Sequence, residues 1–259
     1  MTDHVRVERG GGVLAITLNR PERRNAITVE MYGLLADAIA EAFEDGETRV
    51  ITIRGEGKDF AAGNDLADFL GAERGDDLPV WRLLRALAEC EIPMVAAVHG
   101  NCVGIGTTML LHCDLVIAAD DSRFSMPFVD LGLVPEAASS MLLPRLAGRR
   151  RAARYLLLSD AFGADEALAI GLASHVVEAS ALDQKLGEVT NRLLAKPAEA
   201  LRLTQRLLRN GAREEILERM KLESTAFTER LDSEEAKDAI SAFFEKRKAS
   251  TQDGRREGG

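Results

Sequence analysis

One short segment constrains the fold of this 259-residue chain more than any other: Met94-Val95-Ala96-Ala97-Val98, an apolar run without polar alternation. A strand of this composition is buried on both faces, which is typical of the parallel sheets in α/β proteins. A glycine-rich segment, residues 100–106, follows it and leads into an apolar stretch through Leu111. We therefore expect a buried strand, a glycine-rich turn and a helix, in that order.

The surrounding sequence predicts further strands and helices in alternation. Val5 and Val7 alternate with polar residues, and three glycines separate them from an apolar run at residues 13–18, which predicts a β-hairpin. Thr28 is suited to cap a helix that ends before Gly46. Further strands are predicted at residues 50–53 and 114–119, and a helix at residues 81–89. This order indicates a mainly parallel α/β core.

Helices dominate from Ala137 onward. Pro197 suits the first turn of one helix, and Asp232 with Glu235 resembles a capping box that begins the last one. From Ser250 the chain is polar and contains glycine, which predicts a disordered tail. We divide the chain into a core, residues 1–195, and a C-terminal helical region with this tail, residues 196–259.

Composition excludes several classes of function. A formal net charge of -9 argues against nucleic-acid binding. The three cysteines, Cys90, Cys102 and Cys113, have neither disulfide-framework nor zinc-site spacing, and no metal site is predicted. The N-terminus lacks the apolar stretch of a signal peptide, and no apolar run is long enough to span a membrane. We expect a cytoplasmic protein without a membrane partner.

The segment Phe60-Ala61-Ala62-Gly63-Asn64-Asp65-Leu66 is the first candidate for chemistry. It follows a strand, and its small residues allow a ligand to approach the backbone closely. A backbone N–H group could donate to a ligand oxygen here. Taken alone, the segment favours the alternative of a simple turn in which Asp65 caps the next helix.

The glycine-rich segment after the buried strand is the second candidate. A helix that begins there presents unpaired N–H groups and the positive end of its dipole, which is the layout of an oxyanion site. The segment lacks the GxGxxG pattern of dinucleotide sites, so a nicotinamide cofactor is not expected. The alternative is a packing contact between helix and sheet.

The order of motifs resembles the crotonase superfamily, also called enoyl-CoA hydratases and isomerases, from Leu14 to about Lys248. The matching pieces are Leu18-Asn19-Arg20-Pro21, Asn25-Ala26, the segment 60–66, Ala96-Ala97-Val98-His99-Gly100 with Gly104, Cys113-Asp114-Leu115, Phe124, Pro127, Leu131-Gly132-Leu133, Pro135 and Ser241-Ala242-Phe243-Phe244-Glu245-Lys246-Arg247.

The resemblance implies an α/β fold built as a spiral of ββα units, with a C-terminal helical trimerisation region. It implies an acyl-coenzyme A thioester as the substrate and a homotrimer or hexamer as the assembly. No separate cofactor is expected, because coenzyme A is part of the substrate.

The resemblance also assigns roles to single residues. The N–H groups of Asn64 and Ile105 would form the oxyanion hole, with the Ile105 side chain turned away from the thioester. The Ala62 carbonyl would meet the adenine. Arg23 and Arg24 are further candidates for coenzyme A binding. Phe243 and Lys246 would reach the nucleotide end from a neighbouring subunit.

The acid and base residues decide which reaction such a site performs. Hydratases of this superfamily use two glutamates, and the matching positions here are Thr108 and Phe128, neither of which transfers a proton near neutral pH. Glu136 lies where the resemblance places the catalytic glutamate of Δ3,Δ2-enoyl-CoA isomerases. An apolar pocket around Phe128 and Val134 would raise its pKa. The alternative is that Glu136 only caps a helix that begins at Ala137.

We therefore predict an enoyl-CoA isomerase that moves a 3-enoyl double bond to the 2-position with Glu136 as its single base. Asp130 is a second carboxylate nearby, which we expect to be structural, and His99 and His112 are expected to pack in the fold. The alternatives are a hydratase, hydrolase, lyase or ring-modifying isomerase that uses other acids, and a non-catalytic CoA-binding scaffold.

Overall fold

The computed structural model describes residues 3–71 and 78–256, without the side chains of residues 69–71, 210 and 246–256. The strands are β1 (Val5–Gly10), β2 (Val13–Leu18), β3 (Val50–Gly55), β4 (Met94–Val98), β5 (Asn101–Val103), β6 (Leu115–Ala119), β7 (Arg123–Ser125), β8 (Phe162–Gly163) and β9 (His175–Val177). The helices are α1 (Val29–Glu44), α2 (Leu66–Gly71), α3 (Pro79–Glu89), α4 (Ile105–Thr108), α5 (Ser139–Ala147), α6 (Arg149–Leu157), α7 (Ala164–Ala169), α8 (Leu182–Leu194), α9 (Ala198–Asn210), α10 (Arg213–Leu231) and α11 (Glu234–Arg256).

The larger sheet has the strand order β1-β2-β3-β4-β6-β9. Strands β1 and β2 form the predicted antiparallel hairpin, and every later pair in this sheet is parallel. The parallel order places the carboxyl ends of β3 and β4 at one edge of the sheet, and the segments that leave that edge carry both candidate motifs.

Strand β4 is buried on both faces, as its composition predicts. Met94, Ala96 and Val98 belong to the main hydrophobic core, whereas Val95 and Ala97 face a second cluster that α8 closes. Every residue of the strand is at most 1% exposed. The prediction of a doubly covered parallel strand is therefore confirmed.

The smaller sheet, in the order β5-β7-β8, was not expected. The sequence predicts a glycine-rich turn after β4, but Asn101–Val103 pairs in parallel with Arg123–Ser125. An isolated parallel bridge joins Ala61 to Cys102 on the other side. The pairing partners are distant in sequence, so no local pattern could reveal this strand.

Several predicted helix ends are confirmed and others shift. The Thr28 hydroxyl accepts a hydrogen bond from Met31 N–H at 3.2 Å and caps α1. The last helix is capped by Ser233 instead of Asp232, because the Ser233 hydroxyl accepts from Ala236 N–H at 3.2 Å. After α4 the apolar stretch tightens into a 3₁₀ turn, Met109–His112.

The C-terminal helices pack on the core through apolar side chains of α10 and α11. Met220, Phe227 and Ala236 are buried in the same cluster as the main sheet. Helix α11 extends to Arg256, beyond Ser250, where the sequence predicts the start of a tail; residues 257–259 lie outside the described residues. No helix in the described part of the chain is long and apolar enough to cross a membrane.

Candidate active site

We call residues 60–66 and 100–106 the two small-residue segments. A cavity of about 930 Å³ lies where they meet the C-terminal helices. Its walls include residues from both segments, from the loop between β7 and α5, and from α10 and α11. Among them are Ala62, Gly63, Asn64, Gly104, Ile105, Phe128, Asp130, Leu133, Glu136, Phe227 and Phe243.

The two small-residue segments lie side by side. Val103 N–H donates to the Ala61 carbonyl at 2.9 Å, which fixes their register. Gly63 and Gly104 both have positive φ, at 86° and 55°. A Cβ atom on Gly63 would lie 3.1 Å from the Val103 carbonyl oxygen, which is tighter than an ordinary contact. Glycine at these positions therefore permits both the backbone turn and the close approach of the two chains.

This arrangement leaves two N–H groups available beside the cavity. In the bridge to Ile27, the Gly63 carbonyl accepts from Ile27 N–H, and Asp65 N–H donates to the Ile27 carbonyl. The N–H group of Asn64 takes no part in this bridge. Ile105 is the first residue of α4, where N–H groups have no partner within the helix. Among the described residues, no backbone carbonyl accepts from either group. The backbone thus leaves two N–H donors at the cavity, which is the kind of group that an oxyanion hole requires.

Ile105 lines the cavity, and its side chain is also part of the core. It is completely buried and belongs to the main core cluster.

Tyr32 of α1 holds the side chain of the first oxyanion residue. Its hydroxyl donates to Asn64 Oδ1 at 2.5 Å, and the ring is completely buried. Burial, and secondly the charge of Glu136, raises the pKa of the Tyr32 hydroxyl well above its usual value, so it stays protonated. The sequence analysis missed Tyr32, because its position on the apolar face of α1 indicates only a core residue.

Glu136 presents a buried carboxyl group to the cavity. It is 7% exposed, and its Oε1 has no hydrogen-bond partner among the described residues. Burial, and secondly the negative charge of Glu223, raises the pKa of Glu136 from 4.5 to about 8. A carboxyl group in this environment can both accept and return a proton near neutral pH.

The alternative in which Glu136 merely caps a helix at Ala137 is wrong. Helix α5 begins at Ser139, after Ala137 and Ala138, which both adopt the left-handed conformation with φ of 58°. The N–H groups of Ala138 and Ser140 donate to the Glu223 carboxylate, at 2.6 and 2.9 Å. A distant residue therefore caps the helix, and the Glu136 carboxyl is left for the cavity.

The sequence contains a signal for the partnered role of Glu223. Glu223 lies three residues after Met220 and four before Phe227, on the buried stripe of α10. A carboxylate on such a stripe needs a polar partner inside the fold.

The histidines lie in the fold as expected. His112 is buried, and its Nε2 lies 2.8 Å from the Ala137 carbonyl, which requires a proton on that nitrogen. Burial lowers the pKa of His112 to about 4, so the ring is neutral. Nε2 of His99 lies 2.9 Å from the Gly57 carbonyl.

The two positions that carry glutamates in hydratases are occupied here by Thr108 and Phe128. Thr108 is completely buried, and Phe128 lines the cavity with Leu133, where Val134 had been expected. Asp130 also lines the cavity, but it is exposed, and its carboxylate has no hydrogen bond within the described part of the chain. The structure therefore shows no hydrogen bond that would support the expected structural role of Asp130.

Asp65 is held by a basic partner and by the helix that follows it. Arg20 donates to its carboxylate at 2.7 Å. Although burial alone would raise the pKa of Asp65, hydrogen bonds from Arg20 and from the N–H group of Asp68, with the charge of Arg20, lower it. Asp65 therefore does cap α2, and Asn64 beside it remains available to a ligand.

The residues predicted to bind coenzyme A lie partly at this cavity. Arg23, Ala62 and Phe243 line it. Arg24 lies 3.7 Å from the Asp59 carboxylate. Lys246 falls within α11, but its side chain lies outside the described residues. These nucleotide contacts stay predictions.

The cysteines and possible metal ligands form no second centre. Burial raises the pKa of Cys90 to about 11 and that of Cys113 to about 12, which makes both poor nucleophiles. Within residues 3–71 and 78–256, no group of three or more His, Cys, Asp or Glu side chains is arranged to hold a metal ion.

A profile of the enoyl-CoA hydratase/isomerase family matches residues 8–254. The chain belongs to this family. The predicted membership of the crotonase superfamily and its α/β fold are thereby confirmed. Members of this family carry out enoyl-CoA hydratase or isomerase types of reaction.

Named relatives include both types of enzyme. The short-chain-enoyl-CoA hydratase of Clostridium acetobutylicum is 33% identical over 95% of this chain and 96% of its own. Enoyl-CoA delta isomerase 2 of Rattus norvegicus is 32% identical over 90% of this chain and 61% of its own. The crystal structure of an enoyl-CoA hydratase/isomerase from Pseudoalteromonas atlantica T6c superposes with a TM-score of 0.91 at 40% identity, covering 94% of this chain and 97% of that one.

Proposed function

We propose that this enzyme converts 3-enoyl-CoA to 2-enoyl-CoA with Glu136 as its single acid–base residue. The observation that carries the proposal is the buried Glu136 carboxyl, whose Oε1 has no partner among the described residues, at a site whose two hydratase acid positions are Thr108 and Phe128. The name of the rat delta isomerase supports an isomerase reaction, whereas the hydratase names support only the family's broader chemistry.

The reaction needs one proton transfer in each direction. The Glu136 carboxylate takes a proton from C2 of the 3-enoyl thioester, and the electrons of the broken C–H bond delocalise onto the thioester oxygen. The N–H groups of Asn64 and Ile105 stabilise that oxygen. Glu136 then returns the proton at C4, which leaves the double bond between C2 and C3.

The raised pKa of Glu136 suits both halves of this sequence. A base whose pKa lies near the working pH accepts a proton more readily than an ordinary carboxylate and can still release it. Because the ionised form starts the reaction, we expect kcat/KM to rise with pH up to about 8 and then to level off.

We propose that coenzyme A binds along Arg23, Arg24 and Ala62, with Phe243 and Lys246 near the nucleotide end. Arg23, Ala62 and Phe243 line the cavity, which supports this placement. Because Phe243 of the same chain lines this cavity, the expectation that a neighbouring subunit supplies it finds no support, and a trimer or hexamer would supply Lys246 alone from a neighbour.

The proposal is tested by comparing wild type and Glu136→Gln on 3-enoyl, 2-enoyl and 2,4-dienoyl thioesters, with products identified by mass and ultraviolet absorbance. The variant keeps the shape of the side chain but loses the base, so it should still bind the thioester and lose at least about 10²-fold in isomerase turnover. In the wild type, a hydrogen-isotope label at C2 should pass in part to C4, because the same carboxyl group carries out both proton transfers. Glu218→Gln, an exposed change on α10, is the matched control.

Three outcomes would contradict this assignment. A fully active Glu136→Gln together with an inactive Asp130→Asn would move the chemistry to Asp130, whose carboxylate also borders the cavity. A wild type that hydrates 2-enoyl thioesters faster than it isomerises 3-enoyl ones would make the enzyme a hydratase. Binding without turnover of any substrate in the panel would favour a CoA-binding scaffold.

A further inference from the structure

We infer that Glu223 of α10 is a positioning residue for Glu136: its carboxylate holds the strained turn that carries Glu136, and its charge lies next to that carboxyl group. The inference rests on the proposed role of Glu136 as the base. It assigns a function at the active site to the C-terminal helical region, which otherwise contributes apolar packing there.

Two short hydrogen bonds connect Glu223 to the turn. Its two carboxylate oxygens accept from Ala138 N–H at 2.6 Å and from Ser140 N–H at 2.9 Å. These N–H groups lie at the start of α5, whose own capping residue, Ala138, has no side chain that could serve them. The cap therefore comes from another helix, 85 residues away in sequence.

The turn needs this support because its backbone is strained. Ala137 and Ala138 both have φ of 58°, a conformation that costs an alanine roughly 1–2 kcal/mol. The His112 ring donates to the Ala137 carbonyl at 2.8 Å, and Ser139 N–H donates to the Glu136 carbonyl at 3.0 Å. Without Glu223, two buried N–H groups would lose their acceptor, and the backbone could relax away from the cavity.

Titratable and charged groups from several elements surround Glu136. Glu223 on α10 is the carboxylate whose charge raises its pKa, and Tyr32 on α1 stays protonated. Arg219 on α10 partly offsets the charge of Glu223, and Arg209 on α9 acts on the neutral His112. The remaining acidic groups at the cavity are Asp130, which is exposed to solvent, and Asp65, whose carboxylate accepts from Arg20.

Two substitutions separate position from charge. Glu223→Gln removes the charge and leaves one amide oxygen for two N–H donors. Glu223→Asp keeps the charge but is one methylene too short to serve both donors. Glu218→Gln makes the same chemical change as the first variant at an exposed site of α10 and should change nothing.

The decisive measurement is the titration of the Glu136 carboxyl, read from carbon-13-labelled glutamate as the signal that disappears in Glu136→Gln. In Glu223→Gln its midpoint should fall by about one pH unit, because a neighbouring negative charge is removed. The rise of kcat/KM with pH should shift to lower pH by the same amount. The pH-independent kcat should fall about tenfold or more, because the base loses its position. Glu223→Asp should lose kcat with a smaller change in midpoint and a nearly constant KM.

An unchanged Glu136 midpoint together with unchanged kcat in a folded Glu223→Gln would overturn the inference. If Glu223→Gln does not fold, Glu223→Asp decides: unchanged kcat with an unchanged midpoint would overturn the inference, and lost kcat would support it. A midpoint that shifts in an enzyme without isomerase turnover would sink the proposed reaction while leaving the link between Glu223 and Glu136 intact.

Discussion

Single residues acquire their chemistry here from burial and from partners that are distant in sequence. Glu136 is an ordinary glutamate in the sequence, yet the fold removes it from water and leaves Oε1 without a donor. Such a group lowers stability in return for reactivity. The same burial that makes Glu136 a usable base therefore makes the fold sensitive to pH.

We predict that Glu136→Gln stabilises the protein at high pH. The folded state raises the pKa of Glu136 from 4.5 to about 8, so the stability linked to its protonated form is complete below 4.5 and is lost as pH rises towards 8. Glutamine has no proton to lose. The free energy of unfolding of the variant should exceed that of wild type by a few kcal/mol at about pH 9 and by much less at about pH 5, measured by urea unfolding.

Asp130→Asn is the comparison for this experiment, because Asp130 lines the same cavity but is exposed. Its difference from wild type should not grow with pH. A Glu136→Gln difference that stays constant between the two pH values would mean that Glu136 titrates as in the unfolded chain.

We predict that Tyr32→Phe lowers turnover by the same factor at every pH. The substitution removes the donor to Asn64 Oδ1 and leaves a partly buried amide oxygen without it, at a cost of about 1–3 kcal/mol. Because the Tyr32 hydroxyl remains protonated, it adds no limb of its own to the pH–rate profile. Steady-state kinetics between about pH 6 and about pH 9 would check this.

Tyr155→Phe is the natural control, since Tyr155 is the other tyrosine of the chain and its hydroxyl donates to Glu166. It should affect stability and leave kcat unchanged. An equal loss of kcat in both variants would mean that Tyr32 acts through general stability.

At the scale of secondary-structure elements, local rules predicted more than non-local pairing did. The Thr28 cap and the buried strand β4 could be predicted because each depends on adjacent residues. Strand β5 could not, since its pairing with Arg123–Ser125 is tertiary. The start of α5 at Ser139 was missed because alanine at positive φ leaves no sequence signal.

We predict that Gly106→Ala moves the two small-residue segments, residues 60–66 and 100–106, apart. Gly106 lies in α4, and a Cβ atom there would lie 2.9 Å from Ala61 Cβ, so one backbone must move. The overpacking should cost about 1–3 kcal/mol of stability. Ala61 belongs to the same segment as Asn64, and Gly106 to the same segment as Ile105. A shift of either backbone would therefore displace the proposed oxyanion N–H groups, and kcat should fall by about tenfold or more. Thermal unfolding and steady-state kinetics give the two readouts.

Gly187→Ala in α8 is the matched control, because a Cβ atom there meets nothing within 4 Å. It should stabilise the helix by about 0.5–1 kcal/mol without affecting turnover. Gly106→Ala with normal turnover would show that the spacing of the two segments does not limit catalysis.

At the scale of the whole molecule, the candidate site draws on nearly the full chain. The predicted Asn64, Ile105 and Glu136 do border one cavity, as the resemblance implied. Tyr32 and Glu223 were not predicted, because their roles arise only when α1 and α10 pack against these segments. The division at residues 195 and 196 therefore separates regions of sequence that meet in one site.

This shared construction predicts that the core and the C-terminal helices unfold together. Phe227 of α10 is 8% exposed and lies in the same cluster as the main sheet, so Phe227→Ala should cost about 3–5 kcal/mol. Fluorescence of Trp81, the single tryptophan, reports on α3 in the core, whereas far-ultraviolet circular dichroism reports on all helices. Both urea transitions should coincide in wild type and shift together in the variant, and the exposed Lys221→Ala should shift neither. If circular dichroism were lost well before the Trp81 signal, the C-terminal helices would form an independent unit, and Glu223 could leave the site without unfolding of the core.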